Sequence, residues 1–168
     1  LPLPDVDCRI VGLEDDSQPV SNCQSGELLI KGPQVMQGYF EQEEESKLTL
    51  DLGWLHTGDI AYMDEDGYFF ITGRKKELIK VGGLQVWPNE VEEVIRQMAG
   101  INDCAVKGIP DEISGEVAKV WVVLNKDARV DLRKLKNFCE GKLANYKIPK
   151  ELEIISELPR SAVGKVLR

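Results

Sequence analysis

Apolar and polar positions alternate over short runs in the first half of the chain and take up helical spacing at two places in the second. Residues 5–13 (DVDCRIVGL) and 26–31 (GELLIK) set aliphatic and β-branched side chains between Asp, Ser and Gly clusters, which predicts short strands. Residues 41–47 form a charge run, the pattern of a solvated helical turn or loop. Residues 60–63 and 68–72 flank Asp64-Glu65-Asp66-Gly67, where the glycine supplies the positive φ of a tight reversal, so a hairpin is predicted. Further on, 77–81 reads as a strand, Gly82-Gly83 as a turn and 84–87 as a second short strand. A helix follows, capped by Asn89 with Glu92 at its third position, and Val91, Val94, Ile95 and Met98 recur along one face. Residues 101–109 and 117–124 are predicted strands joined through 110–115. A second helix is predicted from Asp131 to about Ala144, with Leu132, Leu135, Phe138, Cys139 and Leu143 on one face, and 152–155 is a last strand. From 77 onward the order β, β, α, β, β, α, β predicts an α+β fold with helices on a small mixed sheet, preceded by a β-rich segment. The pattern changes near 73–76, with no internal repeat and no low-complexity linker.

Hydrophobic residues make up 42% of the 168 positions, enough to bury a core, so disorder over most of the chain is excluded. Lys+Arg 21 against Asp+Glu 29 leaves a net charge of -8, which argues against nucleic-acid binding through overall charge. A phosphate-bearing ligand therefore requires a local basic cluster. The longest apolar runs, such as 120–124, fall far short of the roughly 20 residues that span a bilayer. Leu1-Pro2-Leu3-Pro4-Asp5 lacks an initiator Met, a basic start and an apolar h-region, so the beginning reads as a cut and not as a signal peptide. Cys8, Cys23, Cys104 and Cys139 include no C-x-x-C pair and accompany a single His, which argues against zinc; no metal ligands are assigned. A chain with an adequate core needs no covalent staples, so reduced thiols and a cytoplasmic protein are expected.

Four segments carry candidate chemistry. Residues 26–33 with Met36, Gly38 and Tyr39 are rich in turn and strand residues and say little alone. In Gly53-Trp54-Leu55-His56-Thr57-Gly58-Asp59 a glycine permits close backbone approach beside an acid, and a carboxylate so placed accepts both hydrogen bonds of a ribose diol. Taken by itself, an ordinary Asx turn explains that segment better. Residues 73–85 concentrate Arg74, Lys75, Lys76 and Lys80 in an otherwise acidic chain and continue into Gly82-Gly83, whose backbone N–H groups suit an anion. A solvated basic strand edge explains these residues equally well. The fourth segment, Pro159-Arg160-Ser161-Ala162-Val163-Gly164-Lys165, ends in a lysine suited to negative charge that develops in phosphoryl or adenylyl transfer. Alone it reads as an exposed surface lysine.

Together and in this order, the four segments resemble the C-terminal motifs of the adenylate-forming superfamily, which includes acyl-CoA synthetases, peptide-synthetase adenylation domains and beetle luciferases. The resemblance covers essentially the whole chain. Residues 73–80 followed by Gln85-Val86 and Pro88 look most like the acyl-CoA ligase branch that contains 4-coumarate-CoA ligases. The resemblance implies two half-reactions: a carboxylate attacks ATP, with magnesium, to give acyl-adenylate and pyrophosphate, and a thiol, usually that of CoA, then displaces AMP. It implies that Asp59 binds the ribose hydroxyls with help from Arg74, and that Ile71 packs near the nucleoside. Lys76 matches the hinge, where many members carry Asp. Lys80 and Gln85 match positions that reach the active site during thioester formation, Gly82-Gly83 the loop beside the CoA pantetheine tunnel, and Lys165 the lysine that stabilises the adenylation transition state.

No Ser/Thr/Gly-rich phosphate loop ending in Pro-Lys-Gly and no aromatic-Gly-x-Thr-Glu segment occurs in the sequence. The resemblance therefore implies a fragment: 1–73 as the β-rich end of the large N-terminal domain, 74–76 as the hinge and 77–168 as the mobile C-terminal domain. Its partners would be a small-molecule carboxylic acid, ATP, CoA and the N-terminal domain of the same chain, and the isolated fragment would be inactive. A peptide-synthetase adenylation domain acting on a carrier-protein thiol, a luciferase-like oxygenase and a non-catalytic binding module that keeps the fold are the alternatives.

Overall fold

The computed structural model describes residues 1–16 and 18–167. The chain folds as two compact units, Leu1–Lys76 and Glu77–Arg168.

The first unit contains β1 (Asp7–Val11), β2 (Gly26–Lys31), α1 (Glu43–Thr49), β3 (Leu50–Asp51), β4 (Trp54–Met63) and β5 (Phe69–Arg74). Its strands form one antiparallel sheet in the order β1-β2-β4-β3, with β5 also paired to β4. Alternation along β1, β2 and β4 turns Ile10, Leu28 and Ala61 into a small core, against which Val20, Ile30, Met63 and Phe69 pack. The predicted hairpin is β4–β5. Asp64 Oδ1 accepts from the backbone N–H groups of Asp66 (3.0 Å) and Tyr68 (2.8 Å), and Gly67 takes a φ of 83°, so side chain and glycine close the turn together. All but the first two residues of the charge run lie in α1, which buries none of its residues.

The second unit contains β6 (Ile79–Val81), β7 (Leu84–Val86), α2 (Pro88–Arg96), β8 (Ile101–Asp111), β9 (Gly115–Leu124), α3 (Leu132–Cys139) and β10 (Glu151–Ile154). In its sheet β9 pairs antiparallel with β8 and parallel with β10, while β6 joins β9 at Val81↔Gly115 and pairs with β7. The sheet is therefore mixed, as the sequence predicts. Val91 and Ile95 of α2 and Leu135 and Cys139 of α3 pack with Cys104, Val106, Val120 and Val122 in one core. Cys104 and Val106 of β8 and Ala118, Val120 and Val122 of β9, at alternate positions, enter this core.

Three local expectations change. The strand expected over 77–81 is confined to Ile79–Val81, because Lys75–Glu77 forms a 3-10 turn. Four successive charged residues offer no apolar alternation, and Lys75 is drawn back onto Glu27 at 2.6 Å. The first helix begins at Pro88 with Trp87 as its N-cap, so Asn89 lies inside the first turn. A proline at the first helical position holds φ where the helix needs it and forgoes an N–H that has no intrahelical partner, so it displaces Asn89 as the starting signal. The second helix keeps its Asp131 cap, whose carboxylate accepts from Lys134 N at 2.8 Å, but stops at Cys139 instead of near Ala144. Gly141, at a φ of 77°, turns the chain out of the helix, and a 3-10 turn follows at Asn145–Lys147. Leu143 still reaches the core from this irregular segment.

Among the described residues no cysteine is joined in a disulfide; Cys104 and Cys139 are buried and Cys23 is exposed. No helix among the described residues is long and apolar enough to cross a membrane.

Candidate active site

In the first unit the structure brings Asp59 and Arg74 together. Asp59 sits in the middle of β4, where Glu27 pairs with Ile60 and Leu29 with His56, so that 57–59 stand opposite Leu28 alone. This bulge is shaped by hydrogen bonds of named side chains. Thr57 Oγ1 donates to Leu28 O at 2.7 Å and accepts from Asp59 N at 3.0 Å. Gly58, at a φ of 68°, turns its N–H to Glu27 Oε1 at 3.2 Å. Extra residues in one strand re-aim a side chain without breaking the sheet. On the other edge of β4 Asp59 pairs in register with Arg74, and Arg74 Nε lies 2.7 Å from Asp59 Oδ1. The pair is partly open, with side-chain exposures of 50% for Arg74 and 22% for Asp59. An ionised carboxylate has about four acceptor sites, so the guanidinium leaves capacity for a diol. Ile71, on the same strand as Arg74, is 64% exposed, an apolar surface beside the charged pair.

Glu27 is the residue that sequence reasoning missed here. Its side chain is 3% exposed and receives Lys75 Nζ at 2.6 Å, with His56 Nδ1 at 3.6 Å. It ties the glycine before Asp59 to the residue after Arg74. The available signal was an acid within the predicted strand 26–31, directly before Leu28 and Leu29.

In the second unit Lys80 and Gln85 stand directly opposite each other across β6 and β7. The turn joining them needs left-handed backbone at both central residues, and Gly82 and Gly83 supply it with φ values of 57° and 82°. A Cβ on either would meet nothing within 4 Å, so the two glycines are required by backbone conformation and not by space. The hairpin is anchored through its backbone: Lys80 N donates to Glu116 Oε2 and Gly82 N to Ser114 O, both at 2.8 Å. The side chains of Lys80 and Gln85 remain exposed. Lys76 is exposed in the 3-10 turn before β6.

Lys165 is carried by a different element, the loop that follows β10. Gly164 N donates to Ser161 O and Ser161 N to Lys165 O, both at 2.8 Å, and Lys165 N reaches Ser161 Oγ at 3.2 Å. Gly164, at a φ of 79°, closes this reversal, and the lysine side chain stands exposed beside it. The two lysines assigned to separate chemical steps thus stand on separate scaffolds within one unit.

The chain matches the family described as AMP-binding enzyme C-terminal domain over residues 90–165. It is 44% identical over 167 residues to a long-chain-fatty-acid–CoA ligase of Bacillus subtilis, covering 99% of this chain and 30% of that protein. Among solved structures, ATP-bound MatB from Rhodopseudomonas palustris superposes with a TM-score of 0.93 at 35% identity, over 98% of this chain and 33% of that one. The o-succinylbenzoate CoA synthetase MenE of Bacillus subtilis, in complex with ATP and magnesium ion, gives a TM-score of 0.85 at 35% identity, over 99% of this chain and 33% of that one. The chain spans about 30% of the length of the curated relatives it matches.

Proposed function

We propose that this chain is the C-terminal part of an AMP-forming acid–thiol ligase that makes an acyl-adenylate and then an acyl-CoA thioester. The observation that carries the proposal is an identity of 44–47% along nearly the whole chain to long-chain-fatty-acid–CoA ligases. Long-chain fatty acids are accordingly the substrate class to test first. The same relatives disfavour a carrier-protein thiol as acceptor.

In the first step a carboxylate oxygen attacks the α-phosphorus of ATP, and the bond to the β-phosphate oxygen breaks to release pyrophosphate. Asp59 would hold the ribose hydroxyls, Arg74 would fix the Asp59 carboxylate, and Ile71 would pack near the nucleoside. Lys165 would meet the charge that builds on carboxylate and α-phosphate oxygens, without proton transfer. Magnesium would accompany ATP; no residue of this chain is assigned to it. In the second step the CoA sulfur attacks the acyl carbon and AMP leaves, with Lys80, Gln85 and the Gly82-Gly83 turn presented to the thiol side. Lys76 would be the hinge between the steps.

Support for a larger whole comes from the first unit itself. It exposes Phe40, Leu48 and Leu52 at 82–88% and Ile71 at 64%, around a core of few residues. So much apolar surface beside so small a core suits a sheet that continues into a larger domain.

The experiment is a product assay on the full-length protein that contains this chain, given ATP, magnesium, CoA and a series of saturated fatty acids. The expected products are acyl-CoA, AMP and pyrophosphate in equal amounts. Thioester formation on a carrier-protein phosphopantetheine with no activity toward CoA would overturn the proposal.

A further inference from the structure

A lysine that acts as a point charge on a four-carbon stem is only as well placed as the backbone that carries it. The loop bonds around Lys165 set the shape of the reversal but leave open what attaches it to the unit. Arg160 makes that attachment. Its Nη1 donates to Gly164 O, the carbonyl immediately before Lys165, at 2.9 Å, and its Nη2 donates to the Asp103 carboxylate on β8. Asp103 is held in turn: its Oδ1 accepts from Cys104 N at 2.8 Å and from Arg96 Nε at 3.5 Å. Arg96 Nη2 donates to Cys104 O and to Glu92 Oε2, both at 3.1 Å. Glu92 is 2% exposed on α2 and takes Val106 N at 2.8 Å. A continuous ladder of charge-assisted hydrogen bonds therefore runs from the buried side of α2, across β8, to the peptide that precedes Lys165.

We propose that Arg160 and Asp103 are positioning residues for the adenylation half-reaction, holding Lys165 where it meets the α-phosphate. This inference rests on the role given to Lys165 above. Arg160 suits the task because one planar guanidinium presents two donors at a fixed angle, one to the loop and one to the sheet. A lysine at the same position has no such fork. The Arg160 side chain is 48% exposed and that of Asp103 24%, so the contact adds little to folding stability in water. Its effect should appear in rate, since misplacing a catalytic group by about 1 Å costs on the order of a hundredfold.

The test uses the full-length protein with ATP and the fatty acid that gives its highest wild-type rate. Single-turnover acyl-adenylate formation and transfer of preformed acyl-adenylate to CoA are measured separately. Arg160→Ala should slow adenylation by roughly ten- to a hundredfold, leave transfer within a factor of about two, and leave the melting temperature close to wild type. Arg160→Lys should recover little of the loss. Asp103→Ala should behave like Arg160→Ala, and the double variant should be no slower than the slower single, because both remove one attachment. Wild-type adenylation in Arg160→Ala, or equal slowing of both steps, overturns the inference. Should Arg160→Ala not fold, Arg160→Lys and Asp103→Asn carry the same comparison. Lys165→Ala in parallel separates the two failures: if that variant adenylates normally the reading of Lys165 falls, whereas a slow Lys165→Ala beside a normal Arg160→Ala refutes only the positioning role.

Discussion

Glu27 holds a carboxylate where almost no water reaches it, and the protein compensates with Lys75 Nζ and the Gly58 N–H. Removing the acid leaves the Gly58 N–H without its acceptor, while Lys75, whose side chain is 44% exposed, can turn to solvent. Glu27→Ala should therefore destabilise the chain by about 1–3 kcal/mol in urea unfolding, whereas Glu27→Gln, which keeps an acceptor for Gly58, should lose less. Equal losses in the two variants would show that the ion pair and not the backbone bond dominates. At this scale the sequence was informative about types and poor about partners. Asp59, Arg74, Lys80, Gln85 and Lys165 stand out because their motifs do, yet nothing in a linear reading places Arg74 against Asp59. That contact depends on bulges in β4 and β5, which shift the register by two residues and by one respectively. Glu27 and Arg160 escaped notice for the same reason, since each matters through a hydrogen bond to another residue's backbone.

Elements were legible where one signal acted and misread where two competed. The runs 101–109 and 117–124 are predicted strands, and the observed β8 and β9 only extend them. β8 runs through Pro110 because it pairs with β9 alone, and an edge position tolerates the missing N–H. The helix starting near 88 offered both Pro88 and Asn89 as signals, and the proline prevailed. The β8–β9 reversal carries a pH-dependent contribution. Backbone N–H groups of Ser114 and then Ile113, aided by Lys150, hold the Asp111 carboxyl below the usual carboxylate range. A depressed folded pKa stabilises above the unfolded value, about 3.9, and that stabilisation is lost as pH falls through the folded value. Glu153 is shifted the same way, first by its hydrogen bond with Lys119. Acid titration of stability should thus show the second unit weakening below about pH 4, with a shallower slope in Asp111→Asn. A slope identical to wild type would assign the acid sensitivity to other carboxylates.

For the whole molecule, the sequence announces two regions through its change of pattern at 73–76, and the structure separates compact units after Lys76. The chain spans about 30% of the length of its curated relatives, and the proposed function makes it one part of a larger site. Catalysis is a constellation held in geometry, so the isolated chain should show no ATP–pyrophosphate exchange with any fatty acid. Robust exchange would contradict its reading as a part. The proposed hinge makes a separate prediction. Proline at Lys76 fixes φ near about -65° and removes a backbone donor, which should trap one arrangement. In the full-length protein Lys76→Pro should keep most of its adenylation rate and its melting temperature while acyl-CoA formation falls steeply. Unchanged acyl-CoA formation by a folded variant removes the hinge.

The most direct test of the central claim, that this chain supplies the adenylation lysine of a two-step ligase, is single-turnover kinetics of Lys165→Ala in the full-length protein. Acyl-adenylate formation should fall by on the order of a hundredfold or more, the scale for losing one preorganised electrostatic contact, while preformed acyl-adenylate passes to CoA at close to the wild-type rate. Equal loss in both steps, or an unchanged first step, would contradict the account.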